Sequence, residues 1–215
     1  MSDMSAIEDS SETILPATAR PTKNEYNHGG SSPSLGSLTL NSAARPIRVL
    51  SVCETAKGGV GRFQESLRSV EASGFEVSVL LPEPDIDILT DKARLLSFPR
   101  SRRGIVALWS LVVHFIRARR SVRPDLYFFN STFSLLPLAV LRLIGDRTPA
   151  VYCAHCWAIS NYDHTSLKGR IVRALEGRLS GLADRVINVS KGDADLARRF
   201  GYRGRHVVIE NAVPD

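Results

Sequence analysis

The chain has 215 residues, 43% of them hydrophobic, a mean hydropathy of −0.06 and a formal charge of +6. This composition fits an ordinary globular protein, and no apolar run approaches the roughly 20 residues that cross a bilayer. Three cysteines, Cys53, Cys153 and Cys156, exclude a disulfide framework and favour a reducing, cytoplasmic setting.

Residues 1–45 open with an acidic stretch that has no apolar core, so they are not read as a secretory signal. They are rich in Ser, Pro, Gly, Asn and Thr and lack apolar periodicity, so the expectation is a disordered tail. The tail holds three basic and five acidic side chains, which leaves 25 basic and 17 acidic in the remainder, a balance of +8. A basic folded part predicts an acidic partner: a phosphorylated substrate, an anionic membrane surface or nucleic acid.

From residue 46 the pattern alternates strands and helices. Ile47–Cys53 is a near-continuous β-branched and apolar run, as in a strand buried on both faces. The stretch Ser51–Arg62, S-V-C-E-T-A-K-G-G-V-G-R, then turns through glycines toward a helix expected from Gln64 to Ser73. Such a turn offers backbone N–H groups and a helix N-terminus to an anion. G-G-V-G is neither the dinucleotide fingerprint nor a P-loop, and a plain structural turn fits it as well.

Strands are expected at Phe75–Leu81 and Arg94–Phe98, with an acidic loop at Pro82–Asp91 between them. The spacing predicts a helix over Gly104–Arg120, with Ile105, Leu108, Leu111, Val112, Phe115 and Ile116 turned inward and Trp109 within it. Further strands are expected at Asp125–Phe129, Ala150–Cys153, Arg185–Val189 and His206–Ile209. Helices fall between them at Leu135–Ile144, with Ser134 as cap, at Leu167–Leu182, with Leu167, Ile171, Leu175, Leu179 and Leu182 at helical spacing, and at Asp193–Phe200. Repeated β-α-β order implies a Rossmann-like, doubly wound parallel sheet, which binds ligands beyond the carboxyl ends of its strands.

Read in order, R-V-L-S-V with G-G-V-G-R-F, G-F-E-V-S-V-L, R-P-D-L-Y-F-F-N-S, T-P-A-V-Y-C-A-H, E-G-R-L-S-G-L-A-D-R-V-I-N-V-S-K and V-V-I-E-N-A-V-P-D form a recognisable set. From Arg48 to Asp215 the chain resembles the N-terminal domain of retaining GT-B glycosyltransferases of family four. The resemblance implies transfer of a sugar from a nucleotide-sugar co-substrate to a glycan or lipid-linked acceptor, in polysaccharide biosynthesis, with no other cofactor and no metal. It implies that residues 46–215 are the acceptor-side half. The C-terminal donor domain is expected to be missing, the chain being a fragment, a truncated product or half of a split enzyme with a separately encoded partner. Two rival readings stand beside it: a non-catalytic partner subunit, and an unrelated Rossmann-type nucleotide-binding protein.

The resemblance assigns Gly58, Gly59, Gly61 and Arg62 to phosphate or substrate binding. It places His155, just past a strand end, beside the reacting sugar; an ordinary structural histidine is the alternative. Asn130, Ser131 and Thr132 fall at the neighbouring strand end, and Ser190 and Asn211 at later ones. The pair Cys153 and Cys156 lacks the partners of a zinc site. Lys92–Pro124 contains eight arginines and no acidic residue. Arg102, Arg103, Arg117, Arg119 and Arg120 there are expected to meet an anionic membrane from the cytoplasmic side, unless they simply form a solvated helix face. Nucleic acid is disfavoured, because the arginines lack interleaved stacking aromatics.

Overall fold

The computed structural model describes residues 45–100 and 104–210. Apart from Arg45, the tail expected over residues 1–45 lies outside them, as do Arg102, Arg103 and Asn211.

Seven strands, β1 (Ile47–Cys53), β2 (Phe75–Pro82), β3 (Leu95–Phe98), β4 (Leu126–Asn130), β5 (Ala150–Ala154), β6 (Arg185–Asn188) and β7 (His206–Val208), form one sheet. Its order is β3-β2-β1-β4-β5-β6-β7 and every pairing is parallel. β1 lies between β2 and β4, so its last five residues are buried. Each fully buried Val or Leu there contributes about 1.5–3 kcal/mol. The chain leaves β1 toward β3 and then returns to start β4 on the other side of β1. That reversal opens a crevice beyond the carboxyl ends of β1 and β4, the usual binding position in this fold class.

Period-two alternation divides the core between the two faces. Leu50, Val52, Tyr127 and Phe129 pack with Leu111 and Phe115 of α2 (Ile105–Val122) and with Leu138 and Leu141 of α3 (Leu135–Leu143). Val49, Val77, Val79 and Phe128 pack with Phe63 and Leu67 of α1 (Gly59–Ser69) on the other face.

Several helix details differ from the expectation. α1 begins at Gly59, five residues before Gln64, and ends in a 3-10 turn over Val70–Ser73. The acidic loop contains a 3-10 turn over Glu83–Ile88. Ser134 does not cap α3: it is itself helical, and its Oγ donates to Ser131 O at 2.7 Å. Ile105 and Trp109 point outward, 86% and 68% exposed, because the apolar stripe of α2 reaches the sheet only from Leu111 onward.

The largest difference is in α4 (Leu167–Leu179). Leu167, Ile171 and Leu175 of its periodic stripe are exposed and Leu179 packs against the core, while Gly169, Glu176 and Gly177 are buried. α5 (Lys191–Arg199) starts two residues early, because Ser190 caps it by accepting from Asp193 N at 3.0 Å.

Candidate functional site

A cavity of about 680 Å³ opens beyond the carboxyl ends of β1, β4 and β5. Its polar floor includes Glu54, Thr55, Ser131, Thr132, His155 and Glu176. Its apolar walls come from Leu108 of α2, Leu136 of α3 and Val172, Leu175 and Leu179 of α4, with Phe133 between the helices.

The glycine loop forms one margin. Gly58 takes the left-handed conformation at φ +68°, which a side chain would oppose. Gly59 opens α1, and a Cβ added there would meet nothing within 4 Å. Gly61 serves packing instead. A Cβ there would lie 2.5 Å from Ala56 O and 2.7 Å from Ile88, so glycine lets the helix close on the loop. The first turn of an α-helix carries N–H groups with no intrahelical acceptor, and its dipole favours an anion. Arg62 is exposed and sits inside the first turns of α1, not at its start.

The loop is braced from behind. Buried Asp85 accepts from Ala56 N at 2.9 Å and from Thr55 Oγ1 at 3.4 Å. Arg100 links Asp85, at 3.2 Å, to Glu54, at 2.8 Å. An arginine between two buried carboxylates holds the strand end rigid, though a buried ion pair adds little net stability by itself.

His155 follows β5 and is partly buried. Its Nε2 lies 3.0 Å from Asn130 Oδ1, and Phe63 meets the imidazole edge-on with centroids 4.7 Å apart. Burial pulls its pKa down to about 4, so the ring is neutral near pH 7. Asn130 does not reach the cavity as expected. It is completely buried, and its carboxamide is used by His155, Ser51 and Phe128 O.

Ser131 stands at the cavity. It lines the cavity with φ +77° and ψ 155°, a conformation that costs a non-glycine residue on the order of 1–3 kcal/mol, and its buried Oγ has no hydrogen-bond partner among the described residues. Thr132 gives its hydroxyl to Glu176 at 2.8 Å.

The sequence does not single out Glu176. A glutamate on a charged helix reads as solvated, yet this one is buried and accepts from Thr132 Oγ1, Ala158 N, Ile159 N and Tyr202 OH. Burial raises its pKa, and these hydrogen bonds oppose the rise. The adjoining Gly177, which lets Tyr202 approach, is the sequence signal for an inward face.

Ser190 is committed as a cap, donating to Asp193 Oδ2 at 2.7 Å while accepting from Asp193 N. Cys153 is buried in β5, where burial pushes its thiol up to about 12, whereas Cys156 is exposed. Among the described residues no group of three or more His, Cys, Asp or Glu side chains could hold a metal.

Of the arginines expected at a membrane, Arg119 is paired with Asp146 at 2.7 Å, while Arg117 and Arg120 are exposed. All three lie near the end of the 18-residue α2, which by its rise is about 27 Å long, and so far from its exposed Trp109 end. Among the described residues no helix is long and apolar enough to cross a membrane.

An all-parallel sheet with a glycine loop at its switch point and a cavity beside it defines a Rossmann-like domain of the kind that forms half of a GT-B architecture. The family model described as Glycosyltransferase Family 4 matches residues 57–215, and the chain belongs to that family.

Solved structures share the fold. Sucrose-phosphate synthase from Thermosynechococcus elongatus aligns with a TM-score of 0.60 at 16% identity, over 79% of this chain and 49% of that one. HepE from Anabaena, crystallised with UDP and glucose, aligns with a TM-score of 0.57 at 22% identity, over 78% and 45%. UDP-N-acetylglucosamine 2-epimerase from Rickettsia bellii aligns with a TM-score of 0.57 at 10% identity, over 76% and 44%. The chain thus spans about half the length of each of these structures. No curated protein matches the sequence.

Proposed function

We propose that residues 46–215 are the acceptor-side half of a GT-B glycosyltransferase that moves a sugar from a nucleotide-sugar to a glycan or lipid-linked acceptor in polysaccharide biosynthesis. The observation that carries this reading is Ser131: a strained residue whose buried hydroxyl has no partner among the described residues, on a cavity shared with neutral His155. Strain of this kind persists where the surroundings hold it for a purpose.

In this reading the amides of Gly58, Gly59 and Val60 face the leaving diphosphate. Charge grows there during transfer, so fixed N–H dipoles act mainly in the transition state. His155 hydrogen-bonds a sugar hydroxyl, and the strained turn at Ser131 shapes the cavity floor beside it. A second domain, in the same chain or a separately encoded one, supplies the remaining nucleotide contacts, and purified 1–215 alone turns over little.

The test is transfer of labelled sugar from a panel of nucleotide-sugars by cells expressing the intact gene, counted in polymer and lipid fractions. The expected result is incorporation that falls at least tenfold in the His155→Ala and Ser131→Val variants. Unchanged incorporation in both, or robust turnover by 1–215 alone, overturns the proposal.

A cytoplasmic, peripheral membrane contact through α2 is a second reading, favoured by exposed Ile105, Val106 and Trp109 at its start. Salt-sensitive binding to anionic vesicles, weakened by Trp109→Ser and by Arg117→Glu with Arg120→Glu, tests it. Binding that ignores salt, or no binding, rejects it.

A further inference from the structure

Four side chains form a single line of hydrogen bonds from α1 to the end of β5. His155 Nε2 is 3.0 Å from Asn130 Oδ1. Asn130 Nδ2 donates to Ser51 Oγ at 3.0 Å, and Ser51 Oγ donates to Gln64 Oε1 at 2.7 Å. Gln64, Ser51 and Asn130 are all completely buried, so water does not compete for these bonds.

The direction of the line is set by one backbone group. Phe128 O lies 3.4 Å from Asn130 Nδ2. A carbonyl oxygen accepts only, so the amide nitrogen belongs on that side and Oδ1 belongs toward His155. Reversing the line would turn Oδ1 against Phe128 O. Ser51 already receives the Asn130 proton, so its own proton goes to Gln64 Oε1. At the other end, Asn130 Oδ1 can only accept, so His155 Nε2 must carry hydrogen. Phe63, packed edge-on against the imidazole, keeps the ring from turning. His155 Nδ1 has no hydrogen-bond partner among the described residues, and the residue lines the cavity.

We propose that Gln64, Ser51 and Asn130 are positioning residues that hold His155 as its Nε2–H tautomer, leaving Nδ1 to accept a hydrogen bond from a substrate hydroxyl. Only the substrate hydrogen bond rests on the cavity being the substrate site. The same line joins the helix behind the glycine loop to His155. A change at Gln64, three hydrogen bonds from the histidine along the line, therefore alters which nitrogen holds the proton. A residue that merely fills space would not do this.

The experiment is long-range proton–nitrogen correlation on the ¹⁵N-labelled 215-residue chain, with the His155 signals identified by their loss in His155→Gln. The expected wild-type pattern has a bare, pyridine-like Nδ1 and a protonated, pyrrole-like Nε2. In Asn130→Ala, and more weakly in Ser51→Ala and Gln64→Leu, the two nitrogens shift toward averaged values. An Nδ1–H pattern in the wild-type chain overturns the proposal, and this holds even if a variant fails to fold. Folded Asn130→Ala with an unchanged pattern overturns it too. Adding UDP-glucose then separates the two readings. Movement of Nδ1 supports both, and an unmoved Nδ1 in a chain with the expected tautomer overturns the substrate site while the positioning assignment stands.

Discussion

Asp125 and Glu176 are carboxylates at opposite edges of the sheet, and their surroundings push them in opposite directions. Asp125, before β4, is held well below the usual carboxylate range by hydrogen bonds from the Arg45 and Arg48 side chains and from Arg48 N. Glu176, under the cavity, is raised by burial and receives hydrogen bonds from neutral donors only. The neighbours follow suit. Asp146 and Asp184, at the same edge as Asp125, are paired with Arg119 and Arg142. At the cavity the histidine is neutral, and Ser131 Oγ has no partner among the described residues. The first edge pairs Asp125, Asp146 and Asp184 with arginines. The other holds Glu176 on neutral donors beside a neutral histidine, the edge proposed above to serve binding.

The hardest test of this contrast is Glu176→Ala. It leaves four donors without their acceptor in a buried position, and the expected loss is on the order of 3 kcal/mol in urea unfolding. A loss below about 1 kcal/mol, the size of one ordinary hydrogen bond, would mean that Glu176 does not hold the turns at Thr132 and Ala158. Next comes the glycine loop. Gly61→Ala forces a contact with Ala56 O and should cost about 2 kcal/mol. Gly59→Ala meets open space and should change stability by less than about 0.5 kcal/mol while weakening anion binding. Equal losses at both glycines would remove the distinction between packing and ligand approach. At the opposite edge, Asp125→Asn keeps the shape but not the charge, and should cost about 1 kcal/mol.

The smallest effects are in pH dependence. The folded pKa of Glu176 is raised, so the native state binds the extra proton and stability falls as pH rises from 4.5 toward the raised value. Asp125 has the opposite sign: its stabilisation is complete above pH 3.8 and is lost as pH falls below it. His155 is depressed from 6.5 to about 4, so the unfolded chain takes the proton first and stability is lost as pH falls through that window. Glu176→Gln and His155→Gln should each flatten their own contribution in denaturation curves across pH. A variant that leaves the profile untouched shows that its residue contributes nothing to it.

The centre of the sheet is legible in the sequence because β1, β2, β4 and β5 are mostly buried apolar runs, and Ile47–Cys53 is bounded correctly at both ends. The start of α1 is not legible, since Gly59 and Gly61 look like loop residues until Gly61 is seen packed against Ala56 O. In α4 the periodic spacing marks the helix but not its buried face, since Leu167, Ile171 and Leu175 are exposed and Leu179 packs against the core. Its leucines carry that signal, but two glycines and a hydrogen-bonded glutamate set the packing. In the site, His155 and Ser131 are marked by their places after strands. The same rule marks Asn130, whose side chain the structure buries, because position along a strand does not show whether a side chain stops at the core or passes it.

What most needs testing is whether the groups at the carboxyl edge receive the sugar donor. Titrating the labelled chain with millimolar UDP and following backbone amides does so directly. Shifts are expected at Gly58, Gly59, Val60 and His155. Shifts confined to the shallow surface of Arg119, Arg120 and Arg123 at the other edge would contradict a donor site at the glycine loop.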